Sequence, residues 1–430
     1  MTDLTGSTGV TGLKQRISSL DFVRGVAILG ILFMNIHIMA LPMASYGNPD
    51  FDGMASLMDK LVFSFEYLFI NTKFVGLFSL MFGVGMLIQG ESLDRKGHNS
   101  GRWIRRRLIF LALFGAVHAA FIWPGDVLLT YAICGLILQS QRYHDARKLL
   151  RRGSIMIAIG LFVMSGFWIA TGFAPEDVIQ DLMAEFRPSA EALADDANVW
   201  TQRNYLQQLG PQVELWLNFI AILPFFSFWW CGGLMLIGMG LFKNGWFSRT
   251  RIHGGAWVAG ALGLLLATLG LLYYWMTDFG NPRASISPLA PGSGMLLAVF
   301  YLNLFVVLAG KLDSLSHWLQ QVGRMAFSLY LLQSVAMILM FRWVAPQLYG
   351  KAGELELFIL VIGFILVQVF IANQWLEHYR QGPMEKLWRW LAFRNLPPAQ
   401  AATAPVAPEQ MQTDSNHNST GDNDETNQSS

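Results

Sequence analysis

The chain has 430 residues, of which 53% are hydrophobic and only 14% charged, with a mean hydropathy of +0.39 and a formal net charge of +1. A soluble domain carries about 25% charged residues, so the composition excludes an ordinary soluble enzyme, and the near-neutral balance gives no support to a nucleic-acid binder. The apolar residues come in long blocks near the ~20 residues needed to cross the hydrocarbon layer as helix, well beyond the ~10-residue alternating strands of a membrane barrel, so the predicted class is an all-α polytopic transmembrane bundle.

In chain order, a short segment over 1–15 is expected to be disordered, and 16–396 to form the bundle. The apolar blocks predict ten spans at 24–41, 61–89, 107–122, 127–140, 154–172, 215–241, 255–275, 293–310, 325–341 and 356–375. The first is expected to be retained rather than cleaved as a leader: Pro42 is a poor residue three before a cut after Ala44, and Asp21 and Arg24 abut the apolar run. The second is too long for one straight crossing, so 61–72 is assigned to the interface and 74–89 to the membrane. Residues 173–213 form the largest outer loop and are acidic. Within it Val178, Ile179, Leu182, Met183 and Phe186 recur at helical spacing, which fits a short amphipathic surface helix as well as a solvated linker. A C-terminal region runs from about 225 to 396. Residues 397–430 begin rich in Pro and Ala and end in Asn, Ser, Asp and Glu, the composition of a disordered tail. Cys134 and Cys231 both fall inside spans, so neither a disulfide nor a cysteine metal site is expected; no metal site of any kind is predicted.

Positive charge sets the orientation. With the N-terminus inside, 23 of the 30 Lys and Arg residues fall in inner segments, among them the Arg105–Arg107 cluster. Both termini are therefore expected in the cytoplasm, in a multi-pass protein of the plasma (inner) membrane whose first partner is the lipid bilayer. Residues 78–88 (FSLMFGVGMLI) faintly echo 226–236 (FSFWWCGGLML); small residues are common wherever membrane helices pack tightly, so the echo does not establish a repeat.

Ionisable groups inside spans are costly and mark functional candidates. In RISSLDFVRGVAILGILFMNIH, Asp21 and Arg24 are three apart and share a helix face, while Asn35 and His37 lie about 16 Å further along, toward the outer side. In GAVHAAFIWPGDVLLTY, His118 precedes the outer end of span three and a tight WPGD turn leads to Asp126. The turn brings the two together, with Tyr131 deeper in span four. An Asp beside a His fixes its tautomer and raises its basicity, as a general base requires; an N-cap Asp beside a packing His is the alternative. Glu66 and Lys73, seven apart, read first as an ion pair. In GRMAFSLYLLQS, Arg324, Ser328, Tyr330, Gln333 and Ser334 make the start of span nine polar, for interhelical hydrogen bonds or for a substrate path. The sequence lacks a Walker loop, HExxH, CxxC and GxSxG, which removes support for ATP-driven transport, a zinc site and a serine hydrolase elbow.

These stretches resemble known families. RISSLDFVRGVAILGILFMN resembles the opening of heparan-α-glucosaminide N-acetyltransferase and its bacterial relatives in the transmembrane acyltransferase superfamily. KFVGLFSLMFGVG, HAAFIWPGDVLLTYAICG, GRMAFSLYLLQS and GPMEKLWRWLAF are more closely similar to the bacterial YeiB-type family, defined largely by a C-terminal domain of unknown function. The resemblance covers about 16–396. The broader superfamily implies transfer of an acyl group from cytoplasmic acyl-CoA, as co-substrate rather than resident cofactor, to an envelope hydroxyl or amine. On that implication His118, Asp126 and His37 are the catalytic candidates, and Asp21, Arg24, Asn35, Lys73, Tyr131, Arg324 and Gln333 the donor- or substrate-binding ones, with Arg24 placed for a donor phosphate. His37 follows Asn35 by only two residues, closer than the superfamily's proposed catalytic histidine follows its first span, so His118 is an equal candidate for base. A small-solute transporter or exporter and a non-catalytic envelope scaffold or sensor are the competing classes.

Overall fold

A computed structural model describes residues 5–248 and 250–395. Among them there are helices and no strands, as lipid requires of a chain whose backbone must satisfy itself within each segment. The helices are α1 (Thr5–Ala40), α2 (Leu57–Phe69), α3 (Lys73–Arg95), α4 (Ser100–Phe121), α5 (Leu128–Leu138), α6 (Ala146–Ala170), α7 (Glu176–Phe186), α8 (Ala190–Thr201), α9 (Tyr205–Ile222), α10 (Ser227–Lys243), α11 (Gly254–Met276), α12 (Pro282–Ser285), α13 (Leu289–Ala309), α14 (Asp313–Arg324), α15 (Ala326–Leu339), α16 (Glu354–His378) and α17 (Pro383–Phe393). Residues 5–15, expected to lack structure, form the first turns of α1. The tail at 397–430 lies outside the described residues.

The bundle is polytopic, with seven helices among the described residues long and apolar enough to span, or eight if α9 and α10, bent by 62° at their junction, count as one. The expected ten also counted α4 and α5, which do not meet that measure of length and composition. Arg102, Arg105, Arg106 and Arg107 take up the first two turns of α4, and the eleven residues of α5 reach only about 16 Å. The two instead form a hairpin packed into the bundle. The over-long second block is broken where predicted: α2 stops at Phe69, Thr72 takes a left-handed φ of 66°, and α3 starts at Lys73. Two caps fix starts that composition alone leaves open. Ser56 and Asp59 form a capping box at α2, and Asn204 and Gln207 another at α9.

α1 is the central helix. Its apolar window is 83% buried, against 11% for α6 and 22% for α16, which face outward to lipid. Around it stand α3, α13, α14, α15 and α16. Two seams bring backbones into contact. A Cβ on Gly83 of α3 would fall on the Met235 carbonyl of α10, and one on Gly238 of α10 would fall on the Leu80 carbonyl of α3. Gly25 of α1 and Gly323 of α14 are seated in the same reciprocal way, on Leu319 and Asp21. The contact between α1 and α3 differs in kind, because Gly30 meets only the Phe74 side chain. The two stretches that echo each other in sequence thus belong to helices that pack face to face, and each follows a break.

The predicted amphipathic helix in the acidic segment is α7, and α8 follows it. The segment is shorter than 173–213, because the last nine residues begin α9. α7 and α8 cap the face of the bundle where α1 ends. Asn48 donates to the Phe186 carbonyl at 2.7 Å, and Arg187 pairs with Asp50 at 3.2 Å and Asp278 at 2.8 Å. Tyr349 donates to Asp196 at 2.9 Å, and the buried Arg342 guanidinium lies over the Trp200 ring at 4.0 Å. Burial raises the Asp196 carboxyl above the usual range, the Tyr349 and Trp200 hydrogen bonds and Arg342 opposing it in part.

Candidate functional site

α4 ends at Phe121, and the Ile122 and Trp123 amides both close onto the His118 carbonyl, which curls the chain into the turn. Asp126 then does two jobs. Its Oδ1 accepts from the Leu129 amide at 2.9 Å, as a cap three residues ahead, and its Oδ2 accepts from His118 Nδ1 at 2.8 Å. Gly115 permits the approach: a Cβ there would stand 2.7 Å from Asp126 Oδ1. The side chains are 1% and 0% exposed, and His118 Nε2 has no partner among the described residues. A carboxylate can only accept, so the proton sits on Nδ1 and the lone pair on Nε2 is free. Tyr330, at 5.3 Å between ring centres, and Trp123, at 6.3 Å, flank the imidazole.

The expected pairing of His118 with Asp126 is therefore present, and the buried imidazole is enclosed by the Trp123 and Tyr330 rings. Tyr131 belongs to another contact. Its hydroxyl donates to the Val75 carbonyl at 3.1 Å and its ring stacks on Phe78, so it ties α5 to α3.

A second group lies at the far end of α1. His37 Nε2 is 2.8 Å from Glu354 and 3.9 Å from Glu66. Glu354 was missed by sequence reasoning. It opens α16, more than 300 residues from His37, and an acid in the first turn of a helix is ordinary dipole chemistry. The expected Glu66–Lys73 ion pair is absent. The break at 70–72 destroys the helical register that would have stacked them, and the fully buried Lys73 Nζ donates to the Tyr67 carbonyl at 2.5 Å while Glu66 turns to His37. Asn35 is buried, and its Nδ2 has no partner among the described residues. No hydrogen bond among the described residues joins His37 or Asn35 to His118 or Asp126.

At the opposite end of α1, Arg24 pairs with Asp21 at 2.8 Å. Arg324 is near enough to act on Asp21, and it donates to the Arg380 carbonyl and to Gln321. Arg107 lies over the Trp388 ring at 3.9 Å, donates to Gln89, and feels both Arg24 and Arg389. This end is thus strongly cationic. Gln333 is not part of it. Its amide bridges the Ile28 carbonyl and Gln368, both at 3.1 Å, and Gln368 bonds Leu329 in turn, which clamps α1, α15 and α16 together. The Asp21–Arg24 pair is partly exposed, at 19% and 31% of the side chains. In a double-mutant cycle read by thermal unfolding in detergent, Asp21→Ala and Arg24→Ala are expected to couple by about 0.5–1 kcal/mol; strictly additive losses would show that the pair does not interact.

Residues 237–395 match the family described as Protein of unknown function (DUF418). That stretch includes Glu354 but neither His118 nor His37. The Escherichia coli (strain K12) protein named as uncharacterized protein YeiB is 31% identical over 91% of this chain and 100% of its own length. Uncharacterized protein YxaH of Bacillus subtilis (strain 168) is 29% identical over 90% of this chain and 96% of its own, and an uncharacterized 39.9 kDa protein of Bacillus acidopullulyticus is 23% identical over 89% and 95%. No solved structure matches.

Proposed function

The chain belongs to the YeiB-type family of DUF418 proteins, and from that premise we propose that it works in the inner membrane, transferring an acyl group from cytoplasmic acyl-CoA to a hydroxyl or amine on the outer side. The observation that carries this reading is the His118–Asp126 dyad, with Nδ1 held at 2.8 Å and Nε2 free. The acceptor O–H or N–H gives its proton to Nε2 as the oxygen or nitrogen attacks the thioester carbonyl. The C–S bond then breaks, and the leaving CoA thiolate takes the proton from the imidazolium. Asp126 stabilises that imidazolium while it exists. Because His118 is sealed, the acceptor reaches it only when the Trp123–Asp126 turn or the Tyr330 ring moves aside. Arg24, Arg107, Arg324 and Arg389 supply cationic partners for the donor's phosphates at the other end, and the acyl-bearing arm crosses between.

The test uses sealed membrane vesicles with labelled acetyl-CoA on the cytoplasmic face. Label is expected in envelope material on the opposite face, with one CoA released per group transferred. Equal labelling in vesicles that lack the protein would sink the reading.

One observation favours a small-solute transporter instead. α3 and α10 each follow a break, at 70–72 and 223–226, and they pack together, as do the interrupted helices that form midplane sites in transporters. Flux of a solute without acyl transfer in the same vesicles would establish that alternative.

A further inference from the structure

Three segments far apart in the sequence deliver three metal-binding side chains to one point. His37 comes from the last turns of α1, Glu66 from α2 and Glu354 from the first residue of α16. One ligand atom of each lies within 4.8 Å of the others, and all three residues are buried. Two carboxylates withdrawn from water need a compensating positive charge or strong donors. His37, 2.8 Å from Glu354, can balance at most one of them, and the buried Lys73 is committed to the Tyr67 carbonyl. Glu66 accepts no side-chain hydrogen bond among the described residues, and the basic group it meets there is His37, at 3.9 Å. The cluster borders a cavity of about 20 Å³ lined by His37, Glu66, Ser45 and Tyr46, room for one water. Ser45, 1% exposed, has a hydroxyl with no partner there.

We propose that His37, Glu66 and Glu354 bind one divalent first-row cation of the zinc class. The two carboxylates balance the charge of the ion. An imidazole nitrogen among the donors selects zinc or its first-row neighbours over calcium and magnesium, which take oxygen ligands in larger number. Three protein ligands leave a fourth position facing the cavity, where a water bound to the metal meets the free Ser45 hydroxyl. The frame exists without the ion: the Glu354 amide donates to Asp59 at 2.9 Å, and Asp59 is itself fixed by the Ser56 capping box. The first turns of α2 and α16 are therefore pinned together, with Glu354 aimed at His37. The site is separate from the His118 dyad, so the vesicle assay and the metal experiment fail independently.

The test is metal analysis of the full chain purified in detergent, followed by chelation and titration with Zn²⁺, Mn²⁺ or Mg²⁺. About one zinc per chain is expected, three ligands and one open position being a complete site for one ion. Zn²⁺ should raise the unfolding temperature of the chelated protein, and Mg²⁺ should not. Glu66→Gln and Glu354→Gln keep side-chain shape and should each weaken Zn²⁺ binding at least tenfold, about 1.4 kcal/mol. Exposed His317→Ala should bind as the parent does. Should the Gln variants fail to fold, Co²⁺ in the unaltered protein serves instead: visible d–d bands that Zn²⁺ displaces support the site. No zinc and no Zn²⁺-dependent stabilisation, Co²⁺ without such bands, or folded Gln variants that bind like the parent would each overturn it.

Discussion

Replacing His118 with asparagine is expected to lower acyl transfer by about 10²- to 10⁴-fold, the usual worth of a positioned general base, with nearly the normal yield of folded protein. The choice of asparagine matters. Its amide nitrogen takes the place of Nδ1 and keeps a donor for Asp126, whose carboxylate is 0% exposed, but it offers no basic group where Nε2 stood. His118→Ala removes donor and base together. It leaves a buried carboxylate held only by the Leu129 amide and its contact with Tyr330, so that variant should lose folded protein as well, because an uncompensated buried charge costs about 3–5 kcal/mol. Comparing the two separates catalysis from packing. If folded His118→Asn transfers within a few-fold of the parent, the base is elsewhere.

Gly238→Leu is expected to be among the most damaging single changes in the bundle. A side chain at this position meets the Leu80 backbone rather than a movable side chain. α3 and α10 must then separate along their whole crossing, at a cost of about 3 kcal/mol or more. Gly166 of α6 is the natural comparison, since nothing lies within 4 Å of a Cβ there, and Gly166→Leu should change stability by about 0.5 kcal/mol or less. Both variants are read by the yield of monodisperse protein and by its unfolding temperature in detergent. Equal tolerance at the two positions would rule out backbone contact at this seam.

What the sequence made legible follows from how local each signal is. Apolar blocks of membrane length declare helices one at a time, and the Trp123–Asp126 turn brings His118 to Asp126 across eight residues, so both could be read directly. The Asp21–Arg24 pair needed only a helix face. Spans four and three depart from a plain apolar block in opposite ways: α5 is apolar throughout but short, and α4 is long but carries arginines over two turns. Lys73 was assigned to Glu66 from their seven-residue spacing alone, which the break at 70–72 undoes; that break is marked by no Gly or Pro, only by Asn71 and Thr72. The His37 cluster lay beyond reach, because no local pattern connects α1 to the first residue of α16. Gln333 read equally as an interhelical hydrogen-bonder and as a substrate group, and only the packed bundle shows that its amide meets the Ile28 carbonyl and Gln368.

The reciprocal glycine seats also determine what in this bundle is able to move. Where each helix holds the other's carbonyl against a bare Cα, neither slides nor rotates without collision, so α3 with α10 and α1 with α14 each travel as one piece. Between the pieces, at Gly30 against Phe74, the obstacle is a ring that can swing to another rotamer. The α1–α3 boundary is therefore one along which the helices can shear, beyond the local movement of the Trp123–Asp126 turn or the Tyr330 ring that uncovers His118. A cross-link across that boundary would block this shear, and one between α3 and α10 would join parts that already move together.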